Sequence, residues 1–324
     1  MPILITGANG QIGSDLIDVL ARRYGAENVV ASDLRPATEN GRVSYESLDV
    51  TDADRLRAIV EDYRVDTIYH LASLLSVTGE KAPGQAWDVN VNGLRHVLNI
   101  ARERRIRVFW PSSIAVFGVG TPKNPAPQTT ILDPSTIYGI TKVTGELLCR
   151  YYFERFGVDV RSVRYPGLIS YKTPPGGGTT DYAVDIFRAA ATGSSYTCFV
   201  RPDTRLPMMY MPDAVRAAIE LMEADADAIT IRTSYNLAGV GFTAEEVARE
   251  ITRHIPDFEV IYDPDDRQKI ADSWPQDVDD TNARRDWGWK PEYDLPAIVN
   301  DMLSHLKRDL FVVRETAASA GPRR

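Results

Sequence analysis

The chain is predicted to be an α/β protein: a doubly wound parallel sheet, completed by a smaller mixed α/β part at its C-terminal end. Three observations carry that prediction. Through the first 165 residues short apolar runs alternate with amphipathic helical stretches, and such alternation implies parallel strands covered by helices on both faces. Gly7, Gly10 and Gly13 lie between the first strand and the first helix, and Asp33 closes the second strand 20 residues beyond Gly13. Together these mark a Rossmann-type arrangement.

The elements follow in order. "ILIT" (Ile3–Thr6) reads as a short buried strand, and "QIGSDLIDVLARRY" as a helix with Ile12, Leu16, Val19 and Leu20 on its apolar side. "NVVASD" is the second strand. "TDADRLRAIVEDY" is a helix capped by Thr51 or Asp52, with Leu56, Ile59 and Val60 facing inward. "DTIYHLAS" is a strand, followed by one long helix near Gln85–Arg104 and the strand "RVFWPSS". A helix around Ile140–Phe156 and the strand "DVRSVRYP" complete residues 1–165. Residues 166–315 form the smaller part, interleaved with the first, with helices near Tyr182–Ala191, Pro212–Ala224, Ala244–His254 and Leu295–Arg308. The small polar tail, 316–324, is expected to be disordered.

Composition bounds the function. Hydrophobic residues at 44% with 25% charged are ordinary for a globular protein, and the apolar runs fall far short of the roughly 20 residues that span a bilayer. A net charge of −8 argues against nucleic acid as a partner. Only Cys149 and Cys198 occur, and the N-terminal "MPILITGANG" carries no basic leader, so a cytoplasmic location is expected. The four histidines are dispersed without zinc-site spacing, and no metal is expected.

Glycine suits the first turn because the chain must bend tightly and let a pyrophosphate approach its backbone. The following helix N-terminus then offers unbonded N–H groups and a partial positive charge to that anion. Asn9, Gln11 and Ile12 complete this turn, and Asp33, with Leu34 beside it, stands where a ribose-binding carboxylate is expected. A carboxylate there accepts bonds from ribose hydroxyls and repels a 2′-phosphate, favouring NAD over NADP, although Arg35 nearby softens that argument.

"STIYGITK" sets Tyr138 and Lys142 four apart at the start of a helix, so both face the same way. A phenol is a poor base at neutral pH. An adjacent ammonium and an oxidised nicotinamide would stabilise its phenolate. Upstream, Ser112 and Ser113 end a strand where their hydroxyls can hold a substrate oxygen.

With these residues the chain resembles the extended short-chain dehydrogenase/reductase family over nearly its whole length. The likeness lies in Gly7-x-x-Gly10-x-x-Gly13, "HLAS" at 70–73, "NVNG" at 90–93, "SS" at 112–113 and "YGITK" at 138–142. It implies that Asp49 and Val50 lie against the adenine, that Leu71, Ala72 and Ser73 sit beside the cofactor, and that Asn90 supports the active site. Tyr165, Pro166 and Leu168 are implied to meet the nicotinamide, and Ser113, with Ser112 next to it, to partner Tyr138. Ser73 departs from the more usual alanine or glycine.

The second half resembles the zinc-independent L-threonine 3-dehydrogenase branch of that family, in "RYPGLISYKTPPGGGTTDYAVDIF", "LPMMYMPDAVRAAIELM" and "LLSVTGE". The resemblance implies oxidation of the L-threonine β-hydroxyl to 2-amino-3-ketobutyrate with release of NADH. The glycine-rich stretch 174–180 is then expected to act as a flap. Its backbone N–H groups, Gly178, Thr179 and Thr180 would grip the substrate, with Ser76 at the head group and Trp274 closing the far side.

Two alternatives stay open at this point. A sugar-nucleotide epimerase or dehydratase on the same scaffold would need cationic groups, which Arg201, Arg205 and Arg267 can supply. A non-catalytic dinucleotide-binding protein would not require the tyrosine and lysine. A homodimer is expected through helices near Gln85–Arg104 and Ile140–Phe156, the second of which carries the apolar "LLCRYYFERF".

Overall fold

A computed structural model describes residues 1–36, 41–174 and 176–319, with side chains through 308. The first half runs β1 (Ile3–Thr6), α1 (Gln11–Tyr24), β2 (Val29–Asp33), β3 (Ser44–Ser47), α2 (Ala53–Asp62), β4 (Thr67–His70), α3 (Ser76–Lys81), α4 (Pro83–Trp87), α5 (Gly93–Arg104), β5 (Arg107–Ser113), α6 (Ile137–Phe156) and β6 (Val160–Tyr165). The second half continues β7 (Gly167–Ile169), α7 (Tyr182–Thr192), β8 (Tyr196–Cys198), β9 (Arg205–Tyr210), α8 (Met211–Glu223), β10 (Tyr235–Asn236), β11 (Val240–Thr243), α9 (Ala244–Thr252), β12 (Val260–Tyr262), α10 (Arg267–Ser273), α11 (Thr281–Trp287) and α12 (Leu295–Ser319).

Seven strands form one sheet in the order β10-β6-β5-β4-β1-β2-β3, every neighbouring pair parallel. The side-chain period of two divides each strand between two cores. In β1, Ile3 and Ile5 face α1 and α8, packing with Leu16, Leu20 and Ala214, while Leu4 faces the opposite layer with Leu56, Leu94 and Val97. The second half therefore contributes α8 and the edge strand β10 to the first half's sheet. Its own core gathers α7, α9 and α12 around Phe187, Ile251 and Met302. Strand order reverses between β1 and β4, and a ligand crevice is expected beyond the carboxyl ends of strands at such a point.

Three differences from the sequence reading have physical causes. The long helix expected near Gln85–Arg104 is interrupted by a π turn at Asp88–Asn92, between α4 and α5. One extra residue in the turn re-aims the side chains there, as π turns commonly do at functional sites. The stretch Ser76–Lys81, read as loop, is the short helix α3. The last helix runs past Arg308 into the segment expected to be disordered, because nothing between Leu295 and Ser319 breaks it beyond Pro296 in its first turn. Residues 320–324 and Pro175 of the flap lie outside the described residues.

Candidate active site

At the end of β1 the chain turns at Gly7 with φ +70°, and a Cβ there would stand 2.6 Å from the Ala72 nitrogen. Only glycine lets the turn lie this close to the backbone that follows β4. Helix α1 starts at Gln11 from Gly10, with no side-chain cap and no acidic residue in its first turn. Its leading N–H groups thus face the crevice unspent, which suits a pyrophosphate. Asp33 is buried at the end of β2; its Oδ2 accepts from the Asn9 N–H at 3.0 Å, and its Oδ1 accepts from the Arg35 N–H at 3.0 Å and Nε at 3.1 Å. Arg35 is therefore engaged by the carboxylate that was expected to exclude a 2′-phosphate. These features fit NAD, with Gly7–Gly13 as the cradle and Asp33 at the ribose end.

The neighbouring expectations divide. Leu34 is exposed beside Asp33, and Ala72 touches the Gly7 turn. Asp49 turns back on its own chain, accepting from the Thr51 N–H at 2.9 Å and hydroxyl at 2.7 Å. Val50 is buried and packs against Gly93.

The end expected to be catalytic is built by β5 and α6. Thr136 caps α6, its hydroxyl accepting from the Gly139 N–H at 3.1 Å. A Cβ on Gly139 would stand 2.2 Å from the Ala115 carbonyl oxygen, so glycine is what lets the helix seat directly on the chain leaving β5. That approach sets the Tyr138 phenol beside the Ser113 hydroxyl. The Ser113 hydroxyl also accepts from the Ala115 N–H at 3.2 Å. One turn along α6, the Lys142 Nζ donates to the Pro111 carbonyl at 2.7 Å and lies 4.7 Å from the Trp110 ring centre and 5.4 Å from that of Tyr138. Ser112, on the opposite face of the strand, donates to Glu146 Oε1 at 2.7 Å.

Burial decides the protonation of this group. It pushes the Tyr138 phenol up to about 12, with only the Ser113 hydrogen bond opposing. It pulls the Lys142 ammonium down to about 7, opposed by Cys149 and Glu146. The sequence reading expected the lysine together with an oxidised nicotinamide to lower the tyrosine's pKa; among the protein's own groups burial dominates and raises it. The reason is geometric: the ammonium is aimed at the Pro111 carbonyl rather than at the phenol oxygen, and desolvation of a phenolate is the larger effect.

The π turn presents Asn90. Its Oδ1 accepts from the Leu74 N–H at 2.8 Å and the Ser73 hydroxyl at 3.1 Å, and its amide donates to the Leu74 carbonyl at 3.0 Å and Thr141 Oγ1 at 3.1 Å. One side chain thus ties the segment after β4 to the helix that carries Tyr138 and Lys142.

Opposite, the flap lies on α3, where the Gly177 carbonyl accepts from the Val77 N–H at 3.4 Å. Its root is clamped to α1: Lys172 bridges Asp15 at 3.0 Å and Asp18 at 2.9 Å, and Thr173 bonds Ser14 at 3.1 Å. Asp181 Oδ2 accepts from the N–H groups of Gly177 and Gly178 at 2.7 and 2.6 Å. Those two N–H groups, expected to grip substrate, are instead spent within the flap.

One cleft joins these parts. Of the residues expected at the cofactor, Gly7, Gly10, Gln11, Ile12, Gly13, Leu71, Ser73, Tyr165, Pro166 and Leu168 line it, as do Ser112, Ser113, Tyr138 and Lys142, expected to be catalytic. All the expected substrate residues, Ser76, Gly178, Thr179, Thr180 and Trp274 among them, line it too. Asn9, Asp33, Leu34, Asp49, Val50, Ala72 and Asn90 do not line this cleft. Sequence reasoning missed Leu75, Pro111, Ile114, Gly167 and Asp181. Asp181 is the one carboxylate among the described lining residues. Its signal was present as an acid directly after the threonine pair, where it reads as an ordinary helix N-cap.

The sequence profile of the NAD dependent epimerase/dehydratase family matches residues 3–238. The holo form of an L-threonine dehydrogenase from Cupriavidus necator is 56% identical, superposes with a TM-score of 0.93, and the match covers 95% of this chain and 100% of that one. A monomeric L-threonine 3-dehydrogenase from a metagenome, in its apo form, is 48% identical with a TM-score of 0.92, over 94% of this chain and 99% of that one. The mitochondrial L-threonine 3-dehydrogenase of Bos taurus is 47% identical over 305 residues, 93% of this chain and 82% of its own length. With a glycine cradle and a tyrosine–lysine pair on one cleft, and with this match over most of its length, the chain belongs to the NAD dependent epimerase/dehydratase family.

Proposed function

We propose that this protein is an NAD-dependent L-threonine 3-dehydrogenase, oxidising the β-hydroxyl to give 2-amino-3-ketobutyrate and NADH. The observation that carries the reading is the convergence of Tyr138, Ser113 and Lys142 with Gly178, Thr179, Thr180 and Asp181 of the flap on one cleft. Tyr138 takes the proton of the substrate hydroxyl as general base. Ser113 orients the same oxygen; Ser112 is committed to Glu146 and does not compete for it. Lys142 supplies the charge that favours the phenolate once the phenol is deprotonated. NAD, when bound, accepts the hydride from C3. Thr179 and Thr180 offer hydroxyls to the substrate carboxylate, and Asp181 faces its ammonium, which enclosure would otherwise leave uncompensated. A closed flap keeps water from the reacting carbon.

The sugar-nucleotide reading is weaker on this geometry. Arg201 pairs with Asp272 at 2.8 Å, Arg205 with Glu246 at 3.3 Å and Arg267 with Asp265 at 2.5 Å, and none of the three lines the cleft. The test is NADH absorbance with purified protein, NAD and L-threonine, repeated with NADP and with L-serine. Prompt NADH formation with threonine supports the reading. Retained cofactor with turnover of a sugar nucleotide overturns it.

The oligomer we favour is a homodimer formed through α6, whose Ile140, Leu147 and Tyr151 are exposed along one face, with Trp87 of α4 exposed as well. A cytoplasmic setting suits Cys149 and Cys198, both free and buried. Among the described residues no helix is long and apolar enough to cross a membrane.

A further inference from the structure

Two turns of α6 beyond Tyr138, and one beyond Lys142, stands Glu146, fully buried in the core. Its Oε1 accepts from the Ser112 hydroxyl at 2.7 Å and Arg164 Nε at 2.8 Å, and its Oε2 accepts from a second Arg164 nitrogen at 2.7 Å. Arg164, on β6, spends its remaining nitrogen on the Gln128 carbonyl at 3.1 Å and Asn236 Oδ1 at 3.0 Å. Nothing in the reaction proposed above uses this pair. A buried ion pair is a poor route to stability, because desolvating both charges offsets most of their attraction. Its position suggests another purpose.

Ser112 lies between the two residues of β5 that serve the chemistry. Pro111 accepts from Lys142, and Ser113 meets Tyr138. The bond from Ser112 to Glu146 fixes the height of α6 against the strand at the residue between those contacts. Glu146 is also the nearest carboxylate along the helix to an ammonium whose surroundings are otherwise apolar or neutral. The groups facing Lys142 are Tyr138, Glu146 and Cys149 on its own helix, Trp110 and the Pro111 carbonyl on β5, and His70 on β4. Of these Glu146 is the one carboxylate, ion-paired with Arg164, and burial pushes the Cys149 thiol up.

We propose that Glu146, held by Arg164, is a positioning residue for this reaction: it locks the end of β5 to α6 through Ser112 and keeps the Lys142 ammonium charged beside Tyr138. Burial alone drives Lys142 toward its neutral form, and Glu146 opposes that drift. Arg164 cancels part of the carboxylate's field, so the two partners act on Lys142 with opposite signs.

That opposition gives the test. The chain has seven lysines, so carbon-13 labelling at lysine Cε gives a spectrum in which Lys142 is assigned by its loss in Lys142→Met. Its titration is followed in the unaltered protein, in Glu146→Gln and in Arg164→Gln, each saturated with NAD. Glu146→Gln removes the anion and leaves the cation, and its Lys142 midpoint is expected to fall by about one pH unit. Arg164→Gln leaves the anion uncancelled, and its midpoint is expected to rise. Loosened packing alone does not produce shifts of opposite sign, so shifts of the same sign, or none, overturn the proposal. If one variant does not fold, the sign from the other decides. Ser112→Ala, which leaves the ion pair intact, tests the positioning half: kcat is expected to fall about tenfold with the Lys142 midpoint unmoved, and an unchanged kcat overturns it. The inference rests on the dehydrogenase reading, but the lysine titration needs no turnover. Absent threonine-dependent NADH formation by the unaltered protein would therefore sink that reading alone.

Discussion

Asp181 holds the flap by its backbone: one carboxylate oxygen takes the N–H groups of Gly177 and Gly178 together. Glycines can lie in this arrangement because no side chain restricts them, and Gly177 itself takes φ +91°. The carboxylate supplies the order that the glycines lack. Asp181→Ala is expected to raise KM for threonine and lower kcat/KM by about 10- to 100-fold, the usual cost of a misplaced substrate. Affinity for NAD should stay near that of the unaltered protein, because the Asp181 carboxylate bonds the flap and not the Gly7 turn. Steady-state kinetics with fluorescence titration of NADH separates the two. A variant with normal KM for threonine would refute the flap's part in binding.

Tyr138→Phe removes the one hydroxyl on α6 that meets Ser113 while leaving the ring in its half-buried place. General bases contribute about 10²- to 10⁴-fold, so turnover should fall by at least the lower figure with the Kd for NAD unchanged. Since burial holds the phenol near 12, kcat of the unaltered enzyme should climb with pH through the neutral range. A flat profile, or a variant that keeps most of its rate, would remove Tyr138 from the mechanism.

Much of this was legible in the sequence where a local pattern reports a local structure. The helix Gln11–Tyr24, the strand Arg107–Ser113 and a cap at Thr51 or Asp52, which the structure gives to Asp52, follow from periodicity and cap chemistry. Strand β3 escaped because "SYES" is polar and half-exposed at the sheet edge, so no alternation marks it. The π turn escaped because one added residue leaves the helical period almost intact. It declares itself only through Asn90, whose partners Leu74 and Thr141 are distant in the chain. Glu146 was hidden for the same reason. On a helix it reads as an ordinary polar residue, and only the sheet order brings Ser112 and Arg164 to it.

His70 gives a stability prediction with a definite sign. It is buried at the end of β4, its Nδ1 is bonded to Thr6 Oγ1 at 2.7 Å, and its Nε2 is buried with no hydrogen-bond partner among the described residues. Burial, aided by the charge on Lys142, pulls its pKa from the ordinary 6.5 down to about 3. Between those values the unfolded chain binds a proton that the folded chain refuses. Stability is therefore full above about pH 6.5 and is lost as pH falls toward 3, at about 1.4 kcal/mol per pH unit from this group. His70→Asn, which keeps a partner for Thr6, should flatten that part of the curve. Denaturant unfolding at several pH values measures the slope, and equal slopes in both proteins would disprove the assignment.

The outward face of α6 supplies the last prediction. Ile140, Leu147 and Tyr151 are 41%, 49% and 51% exposed and follow one another at intervals of seven and four, so they lie in one stripe. Each would gain about 1 to 2 kcal/mol if a second copy covered its exposed half, which across a two-fold axis counts twice. A charge in the middle of such a stripe cannot be buried without a partner. Leu147→Glu is therefore expected to convert a dimer to a monomer while leaving the fold intact, because the residue touches solvent and not the sheet. Light scattering across a range of concentrations, with circular dichroism as the control, reads the outcome. An unaltered chain that runs as a monomer at every concentration would sink the dimer and leave the cleft described above untouched.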